Sequence, residues 1–192
     1  MKPDRMNAFT DGVIAIIITI MVLEMRVPEG SSLAALRPIM PIVGAYVLSF
    51  IYVGIYWNNH HHMMQSAKRV DGRVLWSNLH LLFWLSLFPF VIRWVDERGI
   101  TSFPVAAFGF VLLMAAIAYF LLERALIAAE GEGSVIAQAV GSNLKEWISA
   151  VAYAAGIASA FWLSPLLSIA LYVGVAAMWL IPDRRFERRL QG

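Results

Sequence analysis

The chain has 192 residues, of which 60% are hydrophobic and 15% are charged, and its formal net charge is +2. A typical soluble domain is about half apolar and about a quarter charged, so this composition excludes an ordinary soluble domain. The chain has no cysteine, which excludes disulfides and thiolate metal sites. Its small net charge gives no indication of a nucleic-acid partner.

Six apolar segments, several of them long enough to cross a bilayer, follow one another along the chain with short polar breaks between them. A transmembrane helix needs roughly 20 apolar residues, because each residue rises about 1.5 Å through a hydrocarbon core about 30 Å thick. The pattern predicts an all-α integral membrane protein, a single domain over residues 1–192. The predicted spans are residues 7–25, 41–57, 75–95, 103–122, 147–163 and 165–181.

The breaks between the spans differ in length. The second span is predicted to end at Trp57 and to leave into the polar run Asn58-Asn59-His60-His61-His62. A polar loop is predicted from Glu123 to Lys145 after the fourth span. Only Ser164-Pro165 separates the last two spans, which predicts a tight helical hairpin.

The distribution of basic residues predicts the orientation. With the N-terminus inside the cell, the inner segments carry Lys2, Arg5, Lys68, Arg69, Arg73, Arg124, Lys145, Arg184, Arg185, Arg188 and Arg189. The outer segments carry only Arg26, Arg37, Arg93 and Arg98. Because lysine and arginine are enriched in cytoplasmic loops, we expect a multi-pass protein of the cell membrane, in contact with lipid, with both termini in the cytoplasm.

The first span concentrates its polar residues at its N-terminal end, where Arg5, Asn7, Thr10 and Asp11 precede an apolar run. A carboxylate in a membrane helix is costly unless it faces a partner or water. At about 100° per residue, Asp11 and Ile16 lie on different faces.

An apolar stripe runs along another face of the first span. It consists of Phe9, Ile16, Ile20 and Leu23, with Thr19 beside it. Periodicity allows two interpretations: a surface for packing or lipid contact, or the lining of a pore in which aliphatic side chains close the channel by excluding water.

The segment Arg5-Met6-Asn7-Ala8-Phe9-Thr10-Asp11 resembles the Arg-x-x-x-Phe-Ser-Asp signature of the transmembrane protein 175 potassium-channel family. Thr10 replaces the usual serine and keeps its hydroxyl group. The following apolar run, to Glu24, is also similar to the first helix of the family, and Trp57 and His60 resemble a Trp-x-x-His pair found there.

The resemblance implies a homotetramer of six-span subunits that conducts potassium and other monovalent cations, with modest preference for potassium over sodium and no cofactor. It implies a central pore lined by the first helix, with Ile16, Ile20 and Leu23 as constricting layers and Thr19 as a layer that affects cation preference. Arg5, Phe9, Thr10 and Asp11, together with Trp57 and His60, would form the structural network that holds this helix. No carbonyl selectivity filter of the Thr-Val-Gly-Tyr-Gly type occurs in the sequence.

Other polar residues have competing interpretations. His60, His61 and His62 are consecutive, so they project about 100° apart on a helix and suit a single metal ion poorly. We expect His60 to hydrogen-bond Asp11. Glu24 is interpreted either as a charge that gathers cations at the pore mouth or as a partner of Arg26.

Two further polar residues, Asn78 and His80, lie within the third span. They must face protein or water, and interhelical hydrogen bonds are favoured over a role in permeation.

Two other classes of function are considered. An intramembrane enzyme needs a nucleophile with a base, or paired carboxylates, at one depth, and only Asp11 and His80 lie deep in predicted spans. A secondary transporter usually shows internal repeats and broken helices at the midplane, whereas the first span has no glycine or proline break in its apolar run. The sequence therefore predicts a channel, with a transporter as the alternative and an enzyme less favoured.

Overall fold

The computed structural model describes residues 3–131, 134, 136–137 and 143–180. All regular secondary structure of the described residues is helical, as predicted. The helices are α1 (Asp4–Leu23), a 3-10 helix (Leu33–Ile39), α2 (Met40–Gln65), α3 (Gly72–Leu85), α4 (Phe88–Arg98), α5 (Ser102–Glu130), α6 (Leu144–Trp162) and α7 (Pro165–Leu180). The last residue of the predicted sixth span, Ile181, lies outside the described residues.

Four helical stretches of the described chain are long and apolar enough to cross a membrane: Asp4–Leu23, Leu33–Gln65, Gly72–Arg98 and Ser102–Glu130. The two helices that follow correspond to the last two predicted spans. They are joined by the short turn at Leu163 and Ser164, so the predicted hairpin is present. The 16 described residues of α7 are apolar, but they reach only about 24 Å at 1.5 Å per residue.

The third span, predicted over residues 75–95, falls within the stretch Gly72–Arg98 but contains a break in its helix. Its apolar segment is divided into α3 and α4 at Ser86 and Leu87. Pro89 has no amide hydrogen, and its ring would clash with the carbonyl of Leu85 in a continuous helix. The hydroxyl group of Ser86 donates to the carbonyl oxygen of Phe83 at 2.7 Å, which supports the turn at the break.

Two helices continue beyond the predicted spans, so the loop predicted from Glu123 to Lys145 begins later than expected. The second helix continues past Trp57 to Gln65, and its last turns bury Met63 and Met64. The fourth apolar segment was predicted to end before Glu123, yet α5 continues to Glu130 and stops at a glycine with φ of 97°. A hydropathy pattern marks where a helix leaves the hydrocarbon, not where its hydrogen bonds end.

The arrangement of the helices places α5 at the centre. This helix packs against α3, α4, α6 and α7, and α6 and α7 pack against each other as a hairpin. On the other side of the bundle, α1 packs against α2, α3 and α4. The carboxylate of Glu130 accepts hydrogen bonds from the backbone amides of Lys68 and Arg69 at 2.5 and 2.6 Å. The end of α5 is therefore tied to the loop between α2 and α3.

A tyrosine between two glycines holds the second half of the bundle together. Tyr172 of α7 is fully buried, and its ring lies directly against Gly109 of α5 and Gly156 of α6. The Tyr172 hydroxyl lies 3.4 Å from the backbone carbonyl oxygen of Val105. The backbone carbonyl oxygen of Tyr172 accepts a hydrogen bond from the hydroxyl of Tyr52 at 2.6 Å. In lipid, helices associate through close packing and hydrogen bonds of this kind rather than through the hydrophobic effect.

We expect Gly109→Ala to lower the free energy of unfolding by about 1–3 kcal/mol, the usual cost of overpacking, because the added methyl group overlaps the Tyr172 hydroxyl. Denaturation of the purified protein in detergent measures this change. Gly174→Ala is the matched control, because a methyl group there meets no other atom within 4 Å. An equal loss of stability in both variants would contradict the role of the glycine contact.

Candidate functional site

The two sides of α1 have different environments. Its buried side consists of Met6, Thr10, Ile14, Ile17 and Met21. The apolar stripe lies on the other side, and in a single chain nothing covers it. Its members are exposed to 53% at Phe9, 58% at Ile16, 39% at Ile20 and 79% at Leu23. Four large apolar side chains on one helix face are thus available for contact with other molecules.

A buried amide links three helices at the N-terminal end of α1. Asn78 of α3 donates through Nδ2 to the Thr10 hydroxyl of α1 at 2.8 Å. Its Oδ1 lies 3.0 Å from Nε2 of His60 on α2. Because an amide oxygen only accepts, His60 is the donor and its Nε2 carries hydrogen. All three side chains are at most 3% exposed, so each polar group needs this partner.

A second hydrogen bond joins α1 to α2 at the same level. The indole Nε1 of Trp57 donates to Oδ1 of Asp11 at 2.9 Å. We had expected His60 to hydrogen-bond Asp11, and the structure corrects this: Asp11 pairs with Trp57, while His60 reaches Thr10 through Asn78. His60 is buried, whereas Asp11 is exposed.

The neighbouring histidines do not converge with His60. The ring of His61 stacks on Trp57 with centroids 5.8 Å apart, and its Nε2 lies 2.8 Å from the amide nitrogen of Gln65. Further along, His80 accepts a hydrogen bond from Trp84 of its own helix at 2.9 Å. Among the described residues, no three histidine, aspartate or glutamate side chains come together as a metal site.

The C-terminal end of α1 is joined to α4 by ion pairs. Glu24 was interpreted as a charge at the pore mouth or as a partner of Arg26, but it pairs with Arg93 at 3.4 Å. Arg26 pairs instead with Asp96, through Nε to Oδ2 at 2.5 Å. Adjacent opposite charges in a sequence do not have to pair when a neighbouring helix offers better geometry.

The remaining predicted site residues lie on the surface of the single chain. Arg5 and Phe9 are exposed, and Arg5 has no hydrogen bond or ion pair with a described residue. Thr19 is exposed beside the stripe, and its hydroxyl donates to the carbonyl oxygen of Ile16 at 2.8 Å. The structure thus brings Thr10, Asp11, Trp57 and His60 into one region, and separates them from Arg5 and the stripe.

The comparisons with known proteins identify the family. A potassium channel of a Chryseobacterium species is 54% identical over 191 residues, which cover 100% of this chain and 99% of that protein. The chain belongs to the TMEM175 potassium-channel family. The family model described as "Endosomal/lysosomal potassium channel TMEM175" matches residues 5–89, which carry the signature and the Asn78 network. A potassium channel of Streptomyces collinus is 37% identical over 120 residues, 59% of this chain and 58% of that protein.

The fold agrees with this assignment. The crystal structure of a TMEM175 homologue from Chamaesiphon minutus, described as a lysosomal potassium-selective channel, superposes with a TM-score of 0.80 at 24% identity. The superposition covers 93% of this chain and 96% of that one. The TMEM175 family consists of ion channels, which confirms the predicted family and the prediction that this chain is not an enzyme.

The partner of Arg26 in this TMEM175 chain was not predicted. Asp96 stands 70 residues further along and was treated only as part of a polar break. A signal was available, because Arg93, Asp96 and Glu97 lie three and four residues apart and so share one face of a helix. Which helix that face meets depends on the packing.

We expect Asn78→Ala to lower the free energy of unfolding by about 1–2 kcal/mol, because it leaves two buried polar side chains without their partner. Denaturation in detergent measures this change. Asn58→Ala on α2, where the asparagine is exposed, is the control and should change stability by less than about 0.5 kcal/mol. Equal stability of wild type and Asn78→Ala would show that the network does not hold α1.

Proposed function

We propose that this chain is a six-span subunit of a homotetrameric, potassium-permeable cation channel of the cell membrane, whose pore is lined by the exposed stripe of α1. The observation that carries this proposal is the stripe itself. Ile16 and Leu23 are 58% and 79% exposed on the helix that bears the family signature. The names of the relatives, which are called potassium channels, indicate potassium as the permeant ion.

An oligomer follows from the geometry of one stripe. A single helix face cannot enclose a pore, so several copies must place their α1 stripes around a common axis. The number of subunits, four, comes from the family resemblance. The orientation follows from the basic residues, with both termini in the cytoplasm. The hairpin of α6 and α7 then provides the fifth and sixth spans.

The stripe would act as a hydrophobic constriction. Four isoleucine side chains from position 16 offer no oxygen that could replace the water around a dehydrated cation. Closure is then the loss of water from the narrow apolar segment, and conduction requires a segment wide enough for a largely hydrated ion. Ile20 and Leu23 add two further layers, since they follow Ile16 by four and seven residues on the same face.

Thr19 supplies polarity beside the constriction. Its hydroxyl hydrogen is used in the bond to the carbonyl oxygen of Ile16, so the lone pairs of its oxygen remain available as acceptors. Four such oxygens favour a cation over an anion. Without a carbonyl cage, preference for potassium over sodium is modest and favours the ion that loses water more easily.

The polar network at the N-terminal end of α1 supports the lining helix. Thr10 and Asp11 bind Asn78 and Trp57 on the side of α1 away from Ile16. These bonds hold the helix at its base while leaving the stripe free to face the axis. Arg5 and Phe9, exposed in a single chain, are proposed to complete the network between neighbouring subunits.

We expect Ile16→Asn to raise passive potassium flux into liposomes by at least about tenfold, which corresponds to a barrier lower by about 1.4 kcal/mol. The reason is that asparagine keeps water in the constriction. The flux is measured with a potassium gradient and compared with a sodium gradient, in which flux should be lower for wild type.

Val151→Asn is the control for this variant, because Val151 is 64% exposed on α6 and does not lie on the stripe. It should leave the flux unchanged. If Ile16→Asn conducts no more than wild type while assembling normally, the stripe does not form the constriction. If wild type shows saturating flux coupled to a counter-moving solute, the chain is a transporter.

A further inference from the structure

Five charged side chains form a cluster between the C-terminal end of α1 and α4, called here the α1–α4 ion-pair cluster. Its members are Glu24, Arg26, Arg93, Asp96 and Glu97. Besides its ion pair with the Asp96 side chain, Arg26 donates a hydrogen bond through Nη2 to the backbone carbonyl oxygen of Asp96 at 2.8 Å. The guanidinium group therefore binds both the side chain and the backbone of α4.

The order of the charges makes the contact specific for one register. At the C-cap of α1 the negative charge of Glu24 precedes the positive charge of Arg26, which lies in the loop beyond the helix. Along α4 the positive charge of Arg93 precedes the negative charge of Asp96. Opposite charges meet only in the observed alignment. A shift of one helical turn would bring Glu24 towards Asp96, and like charges oppose that shift.

The cluster joins the segment at the end of α1 to α4, next to the last residue of the stripe. Glu24 follows the buried Met21 by three residues and the exposed Ile20 by four, and Leu23 borders the same surface depression as the cluster. Among the described residues, no other side-chain hydrogen bond or ion pair joins the C-terminal half of α1 to another helix. The only other such bond there, from Thr19, stays within α1.

We propose that Arg26 and Asp96 are positioning residues for conduction, which hold the C-terminal end of α1 back against α4 and so keep the constriction able to open. The inference rests on the proposed function, because it takes the stripe of α1 to line the pore. Apolar stripes around a narrow aqueous path favour contact with one another over contact with water. A polar attachment of the end of α1 to α4 resists that closure.

We expect substitutions in this cluster to change conduction more than they change stability. The side chains of Arg26 and Arg93 are 59% and 60% exposed, whereas those of their partners Asp96 and Glu24 are 12% and 25% exposed. Ion pairs with such exposed arginines contribute little to the free energy of folding. The packing of Met21, which is fully buried, remains when the ion pair is broken. Variants of the cluster are therefore expected to fold and assemble, with altered flux.

The experiment measures potassium flux into liposomes at constant ionic strength for Arg26→Glu, Asp96→Arg and the double variant. Each single variant places like charges opposite each other and should lower the flux by about fivefold or more, a change of roughly 1 kcal/mol in the barrier. The double variant restores opposite charges and should return the flux to within about twofold of wild type. The melting temperature and oligomer size serve as checks on folding.

Two comparisons between variants distinguish positioning of α1 by the ion pair from a long-range effect of charge on the permeating cation. Arg26→Glu adds negative charge and Asp96→Arg adds positive charge, so a purely electrostatic effect would change the flux in opposite directions. The matched control is Arg37→Glu, which makes the same charge change on an exposed arginine of the 3-10 helix. It should change the flux by less than about twofold.

Three results would each overturn the inference. The flux could change in opposite directions in the two single variants, or by the same factor in Arg26→Glu and Arg37→Glu. The third such result is a double variant whose flux is as low as that of the single variants. Where Arg26→Glu fails to assemble, Arg26→Gln removes the charge without adding repulsion and should lower the flux by about twofold or more. Wild-type flux in a correctly assembled Arg26→Gln would then overturn the inference.

The same cluster can be tested through the constriction. In an Ile16→Asn background the constriction is already hydrated, so Arg26→Glu should change the flux by less than about twofold. If Arg26→Glu lowers the flux in that background as much as it does in wild type, the ion pair does not act through the constriction, and the inference is overturned. If Ile16→Asn alone raises the flux but Arg26→Glu does not lower it, this inference fails and the proposed pore stands. If Ile16→Asn alone has no effect, the proposed pore itself fails.

Discussion

In a lipid environment the hydrophobic effect does not hold one apolar helix against another, so the position of α1 depends on polar contacts and close packing. The amide of Asn78 is the central contact, since it binds Thr10 of α1 on one side and His60 of α2 on the other. A buried amide has both donors and acceptors to satisfy, and few arrangements of three helices allow this. The direction in which α1 faces is set by this bond.

The consequence is a helix with two unlike sides. The side held by Asn78 is buried to its last turn, where Met21 is fully covered, and the other side exposes Ile16 and Leu23. The match to the TMEM175 family model begins at Arg5, near the start of this helix. The polar residues that position α1 and the exposed stripe are then separate parts of one helix, and the hydroxyl of Thr10 is the group that binds Asn78.

The two halves of the bundle are held together in different ways. Around α1 the contacts are hydrogen bonds and ion pairs, which depend on a few polar side chains. Around α7 the main contact is the packing of Tyr172 on Gly109 and Gly156, which depends on shape. Hydrogen bonds allow a helix to move between a small number of paired states, whereas a tightly packed ring does not. The position of α1 therefore depends on a few polar contacts, and that of the hairpin on close packing.

Sequence alone determined the helical membrane character, the positions of the apolar segments and the family, because hydropathy and the signature around Asp11 are local properties. It placed Asn78 correctly among interhelical hydrogen bonds, since a polar side chain in a membrane span needs a partner. It did not determine which partner. Asp11 binds Trp57 instead of His60, and Arg26 binds Asp96 instead of Glu24. The helix break before Pro89 and the continuation of α2 to Gln65 were also missed. These features depend on the rotation and approach of packed helices, which bring together residues as far apart as 70 positions in the chain, and no local pattern contains that geometry.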